Sequence, residues 1–296
     1  MEHQGRVRIG TAGWSYPDWE GIVYPAHKGK GFDPLTYLAE YFDVIELNTT
    51  FYRPPYRKMT LSWAKRTDHN PGFKFTAKLW RGFTHERGTA TMKDVAAFKE
   101  GLEPLVEADK LGALLLQFPW SFKNEPENLR YLIKVMETFR EYPLALEVRH
   151  SSWDTAEIYQ LLQERMVGFC NIDQPLFYRS LKPTSRVTSS VGYIRLHGQN
   201  YQDWFREDAG RDERYNYLYS MEELKPWADK IREIAQKSRD TFVITNNHYR
   251  GQAVYNALQL RNLYEVKKVK IPPPLLPTFP QLEEFASDTP AQGRLL

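Results

Sequence analysis

Glutamate, arginine and histidine stand almost side by side in LEVRHSSW, as Glu147, Arg149 and His150. A carboxylate that orients an imidazole or a guanidinium supports proton transfer near neutral pH. A guanidinium also grips a carboxylate or phosphate through two parallel hydrogen bonds. YIRLHG repeats the theme with Arg195 and His197, and VIELN supplies Glu46 and Asn48. FKFTAKLWRGFTH carries Lys78 and His85, where Lys78 reads as an anion ligand or a base stripped of water. Gln117 closes LLLQ, and TNNHYRGQ holds Asn246, Asn247, His248 and Gly251. Amides at the start of a helix attract anions, and a glycine there lets a ligand come close. The candidate catalytic groups are therefore Glu46, Glu147, His150 and His197. The candidate ligand-binding residues are Asn48, Tyr52, Lys78, Gln117, Arg149, Arg195, Asn246, Asn247, His248 and Gly251.

These residues need elements that bring them together. Each lies at the C-terminal end of a short apolar run: RVRIGTAGW, DVIELNTTFY, GFKFTAKLW, LGALLLQFP, PLALEVRH, MVGFCNID, GYIRLHG or TFVITNNH. Helical periodicity separates most of these runs. It begins at DPLTYLAEYF, where Asp33 is the N-cap and Pro34 the first helical residue, and ends at RGQAVYNALQLRNLY. After the sixth run, QPLFYRSLKPTSRVTSS reads as a loop. Strand alternating with helix eight times predicts parallel βαβ units. The expected fold is a single (β/α)8 TIM-barrel-like domain over residues 1–270. An extended proline-rich tail is expected over 271–296. In such a barrel the functional groups gather at the strand C-termini. Side chains alternate along a strand. Glu46 with Asn48, Thr76 with Lys78, Glu147 with Arg149, and Arg195 with His197 therefore share inward faces, and Asp173 ends the sixth strand.

Plainer readings compete. Glu46 and Glu147 could neutralise Arg149 and Arg195 in a salt-bridged plug. Ser152 or Asn247 could cap the helix that follows, and Gly251 could relieve a turn. Among the aromatic residues, Trp19 reads as core, and Tyr16 and Tyr52 as rim. Cys170, alone in its type, reads as a buried, inert thiol.

The 296 residues carry a net charge of +3, which permits an anionic ligand without demanding nucleic acid. One cysteine rules out an internal disulfide and suits a reducing compartment. No signal core or membrane span appears, so a cytoplasmic location and no membrane partner are expected. There is no GxGxxG, GxxxxGK[ST] or HExxH, and the expectation is no cofactor and no obligatory metal.

The segments IGTAGWSYPDWEGIVYP, VIELNTTFYRPP, FKFTAKLWRGFTH, LGALLLQFPWSF, LEVRHSSW, YIRLHG and TNNHYRGQAVYNALQL together resemble the YecE-like family, the domain of unknown function numbered seventy-two. The resemblance spans nearly the whole chain in order. It implies a TIM-barrel-like fold and no agreed activity. Three functions stay open. The first is an enzyme, a hydrolase, lyase or isomerase, using acid–base chemistry on a small anionic, phosphorylated or nucleotide-like substrate. The second is a nucleic-acid-binding or repair-like protein whose aromatic mouth accepts a base. The third is a binding module without turnover.

Overall fold

The structure, a computed structural model, describes residues 5–202, 204, 206 and 211–287. Eight parallel strands close into a barrel in simple chain order. They are β1 (Arg6–Ala12), β2 (Val44–Leu47), β3 (Lys74–Lys78), β4 (Leu111–Gln117), β5 (Leu144–Glu147), β6 (Val167–Asp173), β7 (Val191–Leu196) and β8 (Asp240–Thr245). Strand β1 pairs with β8 from Arg6 opposite Asp240 to Thr11 opposite Thr245, which removes both sheet edges. Helices cover the outside, so the strands are buried on both faces and read as continuous apolar runs. Every residue of β6 is buried, and β4 is buried but for Gly112.

The helices begin where local chemistry favours it. Asp33 accepts a hydrogen bond from the Thr36 amide at 2.8 Å and pairs with Arg66, starting the short helix Pro34–Leu38. Ser220 and Glu223 exchange hydrogen bonds as a capping box at the head of Met221–Lys237. Gly101, inside the helix Met92–Glu107, lets that helix approach the Pro55 carbonyl; a Cβ there would lie 2.0 Å from its oxygen. Between β6 and β7 there is no helix. The loop folds back over the barrel rim, where Ser180 bridges His150 and Leu181 is buried.

Two details depart from the sequence reading. DVIELNTTFY stops being a strand at Leu47, and Thr49–Tyr52 form a single helical turn. The C-terminal segment is not extended up to residue 287. Prolines start two 3-10 turns, Pro273–Leu275 and Pro280–Phe285, because their fixed φ suits a first helical position. Leu275, Leu282 and Phe285 are buried, and Phe279 stacks on Tyr255 of the last long helix, Gln252–Glu265. Residues 288–296 lie outside the described residues.

Candidate functional site

The inward residues near the strand ends form two layers. The lower layer is a closed ionic network. Arg195, on β7, donates to Glu46 of β2 at 2.7 Å and to Glu147 of β5 at 2.5 Å. The second oxygen of Glu46 accepts from the Tyr193 hydroxyl at 2.9 Å, and that hydroxyl also lies 2.8 Å from Thr76 Oγ1. The second oxygen of Glu147 accepts from Arg149 at 3.0 Å and lies 3.2 Å from His197 Nε2. Glu46, Glu147, Arg195 and His197 are all fully or almost fully buried.

Burial alone would raise the Glu147 carboxyl, but the guanidinium of Arg195, with Arg149 beside it, outweighs this and holds it well below the usual carboxylate range. Burial disfavours the Arg195 cation, and the carboxylates of Glu147 and Glu46 outweigh that and push it up. His197 is driven down to about 3 by burial, against the pull of Glu147, so it is neutral at pH 7. Its Nε2 lies 3.2 Å from Glu147 and 3.4 Å from both Arg149 and Arg195, and its Nδ1 lies 3.0 Å from the Asn246 amide nitrogen.

Above this layer opens a cavity of about 480 Å³. Lys78, Arg149, Asn48, Gln117, Asn246, His248, Tyr16 and Tyr52 line it, with His85. Lys78 Nζ lies 4.2 Å from the centre of the Phe51 ring, and His85 meets the same ring edge-on at 4.9 Å. Burial, then the nearby Arg195, lowers Lys78 to about 8, although Glu46 and Glu147 oppose this. Burial and the charge of Lys78 lower His85 to about 4, so it too is neutral at pH 7. Tyr16 stacks on His248 with ring centres 4.5 Å apart. Arg149 lies over the Trp204 ring at 5.2 Å, and among the described residues its buried Nε has no hydrogen-bond partner.

Of the fourteen candidate residues, seven line the cavity (Asn48, Tyr52, Lys78, Gln117, Arg149, Asn246 and His248), while Glu46, Glu147, Arg195 and His197 lie beneath it. The remaining three lie elsewhere. His150 is buried away from the cavity lining; its Nδ1 accepts from the Ser152 amide at 3.1 Å and caps the turn Ser151–Trp153. Asn247 donates to the Tyr217 carbonyl and to Asn256, and caps no helix. Gly251 has a positive φ of 81° and faces Val23, Ile22 and Leu275. The amide of Arg250 beside it is taken by Asp18 at 2.5 Å, so the expected anion corner at the last helix already holds a carboxylate.

The structure adds Arg81, Trp120, Trp204, Arg214 and Tyr215 to the lining. Arg81 and Trp120 come within three residues of the ends of β3 and β4. The other three belong to the long β7 loop, whose length was the available signal, since long loops in compact domains are usually functional. Among the described residues no three His, Cys, Asp or Glu side chains group as a metal site. No helix among them is long and apolar enough to cross a membrane.

A closed parallel barrel with surrounding helices and a cation-rich mouth defines the class. Within it, the chain belongs to the family described as Protein of unknown function DUF72, whose model matches residues 8–281. It is 31% identical over 287 residues to the UPF0759 protein YunF of Bacillus subtilis, covering 92% of this chain and all of that one. It is similar to a solved DUF72 family protein from Thermotoga maritima, at 37% identity and a TM-score of 0.77, covering 88% of this chain and 99% of the other. A DUF72 family protein from Enterococcus faecalis superposes with a TM-score of 0.78 at 26% identity, covering 90% and 98%.

Proposed function

We propose that this chain is a cytoplasmic enzyme that carries out acid–base chemistry on a small anionic substrate, phosphorylated or nucleotide-like, in the barrel mouth. One observation carries the reading: the described lining contains Lys78, Arg81, Arg149 and Arg214 and no carboxylate. The lower layer is self-balanced, two carboxylates against Arg149 and Arg195, and Arg81 pairs with Glu86 at 2.6 Å, whereas among the described residues Lys78 above that layer has no paired carboxylate. Arg149 and Arg81, both in the lining, hold the anionic group alongside Lys78. The proton is moved by Lys78 and His85, which line the cavity, and not by Glu46 or Glu147, whose oxygens are engaged below it. Aromatic side chains cover the body of the substrate.

The test is ligand-induced thermal stabilisation with inorganic phosphate, phosphorylated sugars and nucleotides. A ligand at a hundred times its dissociation constant adds about 2.7 kcal/mol. For a chain of this size that raises Tm by about 5–10 °C. Arg149→Ala should abolish the shift; an unchanged shift in that variant overturns the reading. The aromatic lining, Tyr16, Phe51, Tyr52, Trp120, Trp204 and Tyr215, favours a second reading in which the mouth stacks a nucleic-acid base. That reading requires stabilisation by oligonucleotides that weakens steeply with salt.

A further inference from the structure

The geometry points to Lys78 as a nucleophile that forms a transient imine with the carbonyl carbon of an anionic aldehyde or keto acid held in the mouth. This rests on the anion-binding reading of the cavity and goes further by naming a covalent step and a substrate class.

Lys78 ends β3 and opens onto the cavity. Among the described residues no carboxylate pairs with its amine, whereas Lys74 pairs with Asp109 and Lys110 with Asp68. The amine is held against the Phe51 ring, in a lining whose charged groups are the cations Arg81, Arg149 and Arg214 and whose other polar groups include the amides Asn48, Gln117 and Asn246. A buried ammonium without a paired carboxylate is costly, and such a lysine spends more of its time as the free amine. Its lowering to about 8 agrees with this geometry. At pH 7 its free-amine fraction is about two hundredfold larger than that of an ordinary lysine. Arg149, in the same lining, is placed to hold the anionic group of the same molecule. An aldehyde or keto acid offers both halves, a carbonyl for the amine and an anion for the guanidinium.

The step balances without any further reagent. The nitrogen of the ammonium side chain ends doubly bonded to the former carbonyl carbon. The carbonyl oxygen leaves as water with two of the ammonium protons, and the third stays on the iminium nitrogen. Nothing is oxidised or reduced. The iminium then draws electrons from the adjacent carbon–hydrogen or carbon–carbon bond, and the neutral His85 imidazole is the nearby group able to take the proton.

The experiment uses pyridoxal 5′-phosphate as an anionic aldehyde probe on the full chain. Borohydride reduction fixes any imine, and peptide mapping by mass spectrometry locates it. The expected result is labelling of Lys78 well ahead of surface lysines, slowed by inorganic phosphate and rising with pH towards a midpoint near 8. Labelling of Lys78 no faster than of Lys58 or Lys93 overturns the proposal. Lys78→Arg, which keeps the charge, should still be stabilised by phosphate but give no adduct within the cavity. If phosphate stabilises the protein and Lys78 is not preferentially labelled, the imine falls and the anion site stands. If phosphate neither stabilises nor protects, the anion site falls as well.

Discussion

Replacing Arg195 with methionine should destabilise the protein far more than the loss of one side chain's contacts would suggest. Arg195 is 1% exposed and joins Glu46 at 2.7 Å and Glu147 at 2.5 Å. Methionine fills much of the space but removes the cation. Glu147 keeps Arg149 and His197, whereas Glu46 is left with the Tyr193 hydroxyl alone. Stranding a buried charge in this way costs about 3–5 kcal/mol. At about 2–4 °C per kcal/mol this lowers Tm by roughly ten degrees or more. Urea unfolding at pH 7, followed by tryptophan fluorescence, measures the loss directly. The diagnostic variant is Glu46→Gln combined with Arg195→Met. It restores charge balance, so it should be more stable than the sum of the two single effects by about 2 kcal/mol. A loss under about 1 kcal/mol for Arg195→Met, or strict additivity in the double variant, would refute the ionic account of this layer.

Two further outcomes follow from sites away from the cavity. Burial raises Asp173 from 3.8 to about 6, against hydrogen bonds from Tyr219 and Gln199. Its folded pKa lies above its unfolded one, so the folded state binds the extra proton between pH 4 and 6. Its ionisation therefore costs stability as pH rises through that window, by about 3 kcal/mol in full. The stability difference between wild type and Asp173→Asn should fall from pH 4 to 6 and level off above it; parallel pH curves would contradict this. Gly101→Ala would improve helix propensity by about 1 kcal/mol on an exposed helix. Here the new methyl meets the Pro55 carbonyl, and Tm should instead drop by several degrees in a thermal melt, whereas a rise would show that the helix and the Pro55 segment can move apart.

The eight strands were legible because a strand covered by helices on one side and barrel contents on the other is apolar throughout, as LGALLLQ is. The inward partners were legible because side chains alternate: Glu147 and Arg149 share a face and meet at 3.0 Å. The same rule explains why His150 falls elsewhere. It is one residue beyond Arg149, so its ring turns away from the mouth and caps Ser152. Depth was not legible. Glu46 and Lys78 both lie near strand ends, yet one belongs to the sealed layer and the other to the cavity. The stagger between strands decides this, and no single strand encodes it. Trp204, Arg214 and Tyr215 reach the mouth from a loop, where no period marks the side that faces inward. At the anion corner expected beside Gly251, the Arg250 amide is taken by Asp18, which lies 232 positions away in the chain and so was not visible locally.

The pairing of β1 with β8 bears on how the protein is made. A chain leaving the ribosome delivers Arg8 long before Asp240, its ion-pair partner 232 positions later. Until then β1 has a bare edge, and such edges invite pairing with other chains. Glu46 waits in the same way for Arg195, 149 positions downstream. A nascent chain that has reached β6 therefore lacks both the strand that seals the sheet and the cation that neutralises its interior. Closure becomes a late and cooperative event, dominated by contacts distant in sequence, which are slow to form. For this barrel, the interval before β7 and β8 emerge is the period of greatest exposure to aggregation and of greatest need for chaperone protection.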